Sequence, residues 1–233
     1  MNVHAPALAD RFDEATSVFA GDVIGDLSRF PKKLSPKYFY DAKGSELFEQ
    51  ITVLPEYYPT RTELSILRER GGEIAAMIPQ GAALVEFGAG ATTKVRLVLE
   101  RSRFAAYVPV DISGDFLQAQ ADGLRRDFPA LAVYPVAADF TAPFALPDAV
   151  AGLPKVGFFP GSTLGNFEPQ EALAFLRSAR EILGANAQMI VGVDLEKDER
   201  TLYDAYNDAA GVTAKFNLNV LERINRELGG NFD

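Results

Sequence analysis

Three acidic residues, each near the end of a β-like run, mark where this sequence can do chemistry. The first run, Ala83-Leu84-Val85-Glu86-Phe87, leads into Gly88-Ala89-Gly90-Ala91-Thr92-Thr93-Lys94. Glycines between a buried strand and a helix allow a sharp turn and let a ligand approach the backbone beside a helix N-terminus. A dinucleotide fingerprint would place Gly or Ala at position 93, where Thr93 stands instead. A cofactor without a pyrophosphate needs fewer glycines and tolerates an acidic residue such as Glu86 at the strand end. A plain strand-to-helix turn would use the same glycines, so this feature alone decides nothing.

Asp111 closes the second run, 23 residues after Gly88. An acid at that separation can accept both ribose hydroxyls of an adenosine cofactor. It also precedes a helix, so a capping role is open to it. The third run ends in Ala138-Asp139-Phe140. There an acid can accept from the adenine amino group while the following backbone N–H donates to the ring. Three such features on consecutive strand ends fall along the carboxyl edge of a sheet, where open α/β folds bind ligands. Together they favour S-adenosylmethionine, with NAD an alternative because it shares the ribose carboxylate. The fourth run ends in Phe159-Pro160-Gly161-Ser162-Thr163-Leu164-Gly165-Asn166-Phe167, a polar loop placed where a methyl acceptor would sit. Gly161, Ser162 and Asn166 could equally make a turn and cap the next helix.

The elements that must hold these residues are five β-like runs, at 83–87, 106–110, 131–136, 156–159 and 189–193. Helical stretches are expected at 92–102, 113–127, 169–184 and 198–209. Strands alternating with helices specify an α/β fold with a doubly wound, mostly parallel sheet. Residues 1–80 read as an N-terminal helical segment on the substrate side, and 81–233 as the cofactor-binding domain. Pro55-Glu56-Tyr57-Tyr58-Pro59 reads as an extended turn, and Thr60 to Glu63 has capping-box spacing before Leu64, Leu67 and Ile74.

Composition excludes whole classes of chemistry. With no cysteine and one histidine, His4, the chain can build neither a thiolate site, a Ser–His–Asp triad nor a multi-histidine metal site, so no metal is expected. The net charge of −9, with no compact Lys/Arg cluster, argues against nucleic acid as a partner. The N-terminus lacks a signal-type apolar stretch and no run could span a bilayer, so a cytoplasmic protein without a membrane partner is expected. A small molecule is the expected substrate; oligomeric state is left open.

Read in order, several runs resemble the bacterial and fungal histidine Nα-methyltransferases of ergothioneine biosynthesis. They are Pro36 to Asp41, Leu54 to Glu63, Gly88-Ala89-Gly90, Val108 to Asp111, Ala138-Asp139-Phe140, Gly161 to Asn166 and Tyr206 to Ala214. The resemblance continues through Phe216 to Val220 and Ile224 to Leu228. It implies a Rossmann-like class I methyltransferase using S-adenosyl-L-methionine, with an amino acid, L-histidine, as acceptor. It implies a cofactor site at Gly88, Lys94, Asp111, Asp139 and Phe140. It implies that Tyr57, Asn166 and Tyr206 contact the substrate, with Tyr40 close to the amine. Relatives continue past the position of Asp233 with a strand pair that supplies an acid and a serine to the imidazole. The expectation is therefore that residues 1–233 bind cofactor but turn histidine over poorly or not at all, the alternative being a non-catalytic binding module.

Overall fold

The computed structural model describes residues 13–233, so His4 lies outside the described residues. The chain falls into two compact units. One comprises residues 55–202; the other joins the segment ending at Leu54 to Tyr203–Asp233.

Residues 55–202 are built around a parallel sheet. Its strands are β1 (Ala83–Phe87), β2 (Ala106–Asp111), β3 (Ala132–Val133), β4 (Val136–Ala137), β5 (Lys155–Phe159) and β6 (Gln188–Val191). They run in the order β3-β2-β1-β5-β6, with β4 also paired to β2. Every pairing is parallel. The chain steps outward from β1 to β2 and then returns to β5 on the other side of β1. That reversal is the switch point of a doubly wound Rossmann-like fold, and ligands bind in the crevice outside the strand ends there.

Both faces of β1 are covered, which is why all five of its residues are buried. Leu84 joins Leu67, Val95, Val98, Leu124 and Phe158 in one core. These come from β1, β5 and the helices α3 (Tyr58–Met77), α4 (Thr93–Leu99) and α5 (Gly114–Asp127). Val85 and Phe87 point to the opposite core, with Val110, Phe159, Phe175 and Leu183. There the cover is helix α6 (Pro169–Leu183).

The third run is not one strand. Pro135 has no N–H for the ladder, so pairing to β2 is interrupted between β3 and β4. Tyr134 and Ala138 instead donate to the Tyr107 and Asp111 carbonyls, each at 2.9 Å. A second correction concerns α3. It begins at Tyr58 with Pro59 in its first turn, where a proline's fixed φ fits. Thr60 is therefore inside the helix and cannot cap it, and Glu63 is released for another task. Tyr57 ends the preceding turn.

The other unit contains α1 (Glu14–Leu27), a short 3-10 turn at Pro36–Phe39, α2 (Ala42–Thr52) and α8 (Val212–Leu228). Helix α7 (Glu199–Tyr206) spans the junction of the two units in sequence. Phe19, Val23, Tyr38, Val220 and Ile224 form this unit's core. Asp41 caps α2 by accepting from the Gly44 N–H at 2.8 Å. It also accepts from Asn219 at 2.8 Å and Arg226 at 2.6 Å, both on α8. The division thus falls after Leu54 and after Leu202, whereas the change of texture along the chain suggested residue 80. Helix α3 groups with the sheet because Leu67 packs into its core. Among the described residues no helix is long and apolar enough to cross a membrane.

Candidate active site

The turn after β1 is held from below by β2. Gly88 adopts φ +74°, and its N–H and that of Ala89 both donate to the Val110 carbonyl, at 2.9 and 3.0 Å. A left-handed φ is costly for any residue with a Cβ, so glycine is the residue for this corner. Space reinforces the choice, because a Cβ at position 88 would lie 3.2 Å from the Phe140 ring. The glycine turn and the end of the third strand region are therefore in contact. Phe140 is anchored by edge-on contacts with Phe159 and Phe175, at 5.6 and 5.8 Å between ring centres.

The three acids differ in surroundings. Glu86 is buried, and burial pushes its carboxyl up to about 8 against the opposing influence of a hydrogen bond from the Tyr107 hydroxyl and the charge of Lys94. It stays largely protonated at neutral pH. Asp111 is half-buried, and burial raises its carboxyl too. Its Oδ1 accepts from the Ser113 N–H at 2.9 Å, so it closes the turn before α5, whose N-cap is Ser113. Asp139 Oδ1 accepts from the Thr141 N–H at 2.9 Å and from the Thr141 hydroxyl.

Lys94, in the first turn of α4, reaches Glu63 Oε2 at 2.6 Å. The same carboxylate accepts from the Gly161 N–H, at 2.8 Å to Oε1 and 3.0 Å to Oε2. Gly161 has φ +83° and is followed by Ser162 at φ +56°, a left-handed pair directly after β5. The Ser162 Oγ accepts from the Asp194 N–H at 3.0 Å, and the Asp194 carboxylate accepts from Tyr58 and Lys197. Asn166, itself exposed, ends a short 3-10 turn at Thr163–Asn166. It does not cap α6: Glu168 and Glu171 form that capping box.

The sheet unit therefore holds Tyr57, Gly88, Lys94, Asp111, Asp139, Phe140, Gly161 and Asn166. Tyr40 and Tyr206 belong to the other unit. There Tyr40 makes edge-on ring contacts with Phe48 and Phe216, both at 5.4 Å between centres. Tyr206 is 51% exposed at the end of α7. Just beyond it, buried Asp208 accepts from the Val212 and Thr213 N–H groups at 2.8 Å and fixes the start of α8.

Sequence reasoning missed Glu63, Tyr58 and Asp194. Glu63 carried a local explanation as a helix-capping residue, while its acceptor role reaches 98 residues along the chain. The signal that could have found it is a carboxylate on a helix with no cation one turn away.

The donor set suits a cofactor with a ribose, an aromatic base and an amino-acid tail. Asp111 can accept from hydroxyls, Phe140 lies against the glycine turn, and Lys94 offers a cation beside it. Comparison with known proteins agrees with this chemistry. The family model for histidine-specific, S-adenosylmethionine-dependent methyltransferases matches residues 19–233. The histidine N-alpha-methyltransferase of Mycolicibacterium smegmatis is 42% identical over 95% of this chain and 69% of its own length. That of Mycobacterium tuberculosis is 41% identical over 91% of this chain and 66% of its own. The ergothioneine biosynthesis protein 1 of Neurospora crassa is 35% identical over 85% of this chain, which spans 23% of that longer protein. The glycine turn, the three strand-end acids and these matches lead to one assignment: the chain belongs to the family of histidine-specific, S-adenosylmethionine-dependent methyltransferases.

Proposed function

We propose that this protein methylates the α-amine of an amino acid, L-histidine, to its trimethylated betaine. The observation that carries the reading is the match of residues 19–233 to a histidine-specific family, together with 42% identity to a histidine N-alpha-methyltransferase. The strand-end geometry supports the cofactor half. Gly88 and Phe140 are in contact, and Asp111 lies one strand away from the same turn.

Bound S-adenosylmethionine supplies an electrophilic methyl group on a sulfonium. The residues of the chain hold and orient the partners. Asp111 accepts from ribose hydroxyls, and Asp139 with the Phe140 backbone holds the adenine edge. Lys94 meets the carboxylate of the cofactor's amino-acid tail. Tyr57, Asn166 and Tyr206 hold the acceptor, with the Gly161 loop beside it. A hydroxyl and a carboxamide can bind an α-carboxylate without a full counter-charge. The acceptor amine must be unprotonated to attack. Tyr40 receives its proton and passes its own to water, a relay that needs no histidine or cysteine. Most of the rate gain on this account comes from alignment of amine and methyl group.

Calorimetry tests the reading in two stages. S-adenosylhomocysteine should bind while NAD does not, and L-histidine should then bind to the complex more tightly than other amino acids. Binding of NAD in preference, or equal binding of unrelated amino acids, would overturn it.

A further inference from the structure

Glu63 joins three separate stretches of chain at the carboxyl edge of the sheet. Its Oε2 lies 2.6 Å from Lys94 Nζ, and the two side chains are 17% and 20% exposed respectively. Both of its oxygens accept from the Gly161 N–H. The third stretch is the backbone after β6: a Cβ on Gly192 would fall 2.0 Å from Glu63 Oε1 and 3.2 Å from the Gly161 nitrogen. Glycine at 192 thus leaves the room into which the carboxylate fits. Gly192 is itself fixed by donating to the Phe159 carbonyl at 2.9 Å, at the end of β5.

Two of these stretches carry different halves of the proposed site. Lys94 follows the glycine turn on the cofactor side, and Gly161 opens the loop on the acceptor side. A half-buried cation such as Lys94 has several rotamers of similar energy, and an ion pair with little water around it selects one. A backbone N–H in a left-handed turn is likewise fixed by a bidentate acceptor. We propose that Glu63 is a positioning residue, setting the Lys94 ammonium and the Gly161 loop at a fixed separation so that cofactor and acceptor meet in register. This inference rests on the proposed function for the roles of Lys94 and Gly161.

The variants separate the two ties. Glu63→Gln keeps a carbonyl oxygen for the Gly161 N–H but presents no charge to Lys94. Glu63→Ala removes both ties. Gly192→Ala leaves Glu63 in the chain but drives its carboxylate out of place. Glu63→Gln should weaken S-adenosylhomocysteine binding about tenfold, and by less than about twofold in a Lys94→Met background, because coupled residues are non-additive. A general structural role would give equal losses in both backgrounds, and that result would overturn the proposal. So would no loss in either. Amide hydrogen exchange at Gly161 reads the second tie without any ligand. Protection should persist in Glu63→Gln and be lost in Glu63→Ala and Gly192→Ala; protection in all three would overturn the proposal. Failure of the wild-type chain to bind S-adenosylhomocysteine would instead count against the proposed function, with the exchange data still deciding Glu63.

Discussion

Gly88 and Phe140 touch: the position of a Cβ on Gly88 is 3.2 Å from the Phe140 ring, while the glycine itself sits at φ +74°. Gly88→Ala therefore meets two penalties, a left-handed backbone and a ring that must move. The expected loss of stability is about 1–2 kcal/mol from the backbone alone, read from denaturant midpoints. S-adenosylhomocysteine affinity should fall with it, because Phe140 is displaced from the turn. Unchanged stability and affinity would show that the turn relaxes freely.

A carboxyl pushed up to about 8 gives Glu86 a pH signature. The folded protein holds this proton above pH 4.5, the group's ordinary value, where the unfolded chain releases it. Its contribution to stability is thus fully present below about 4.5 and is lost as pH rises through about 8. Glu86→Gln carries no such titration. Unfolding midpoints of wild type and variant should diverge across that window, with wild type losing ground as pH rises. Parallel curves would mean that Glu86 titrates normally.

With Asp111 on the cofactor ribose as proposed, Asp111→Ala should weaken S-adenosylmethionine binding by about 1–3 kcal/mol, the hydroxyls losing a charged acceptor. Asp111 also accepts from the Ser113 N–H, so Asp111→Asn, which keeps that bond, is the control for folding. Wild-type affinity in a folded Asp111→Ala protein would remove Asp111 from the cofactor site.

Asn166→Ala and Tyr206→Phe should damage amino-acid binding and leave S-adenosylhomocysteine affinity within about twofold, because the proposed function gives neither side chain a bond to the cofactor. Titration of each variant with both ligands separates the cases. Equal weakening of both ligands would make these residues structural.

How much of this could be read from residues alone varied with the range of the interactions. Gly88, Asp111 and Asp139 stood out because each follows a strand run, and strand ends in a parallel sheet collect along one edge. The split of the third strand was also signalled, since Pro135 cannot donate to a ladder. Helix α3 was placed three residues late because the Thr60–Glu63 spacing imitates a capping box, while Pro59 in the first turn determines the start. Tyr40 and Tyr206 came only from family resemblance. They lie in the stretches of sequence before residue 55 and after residue 202, and no local pattern marks an aromatic residue as a binding group. Glu63 was opaque for a different reason: its partners, Lys94 and Gly161, are set by tertiary packing.

Product analysis tests the central claim most directly. The protein is incubated with S-adenosylmethionine and an equimolar mixture of amino acids, and the products are resolved by mass spectrometry. Whatever the turnover rate, the methyl groups transferred should lie on the α-amine of histidine, up to three, in preference to every other amino acid. Methylation of another amino acid ahead of histidine, or transfer to the imidazole in place of the α-amine, would contradict it.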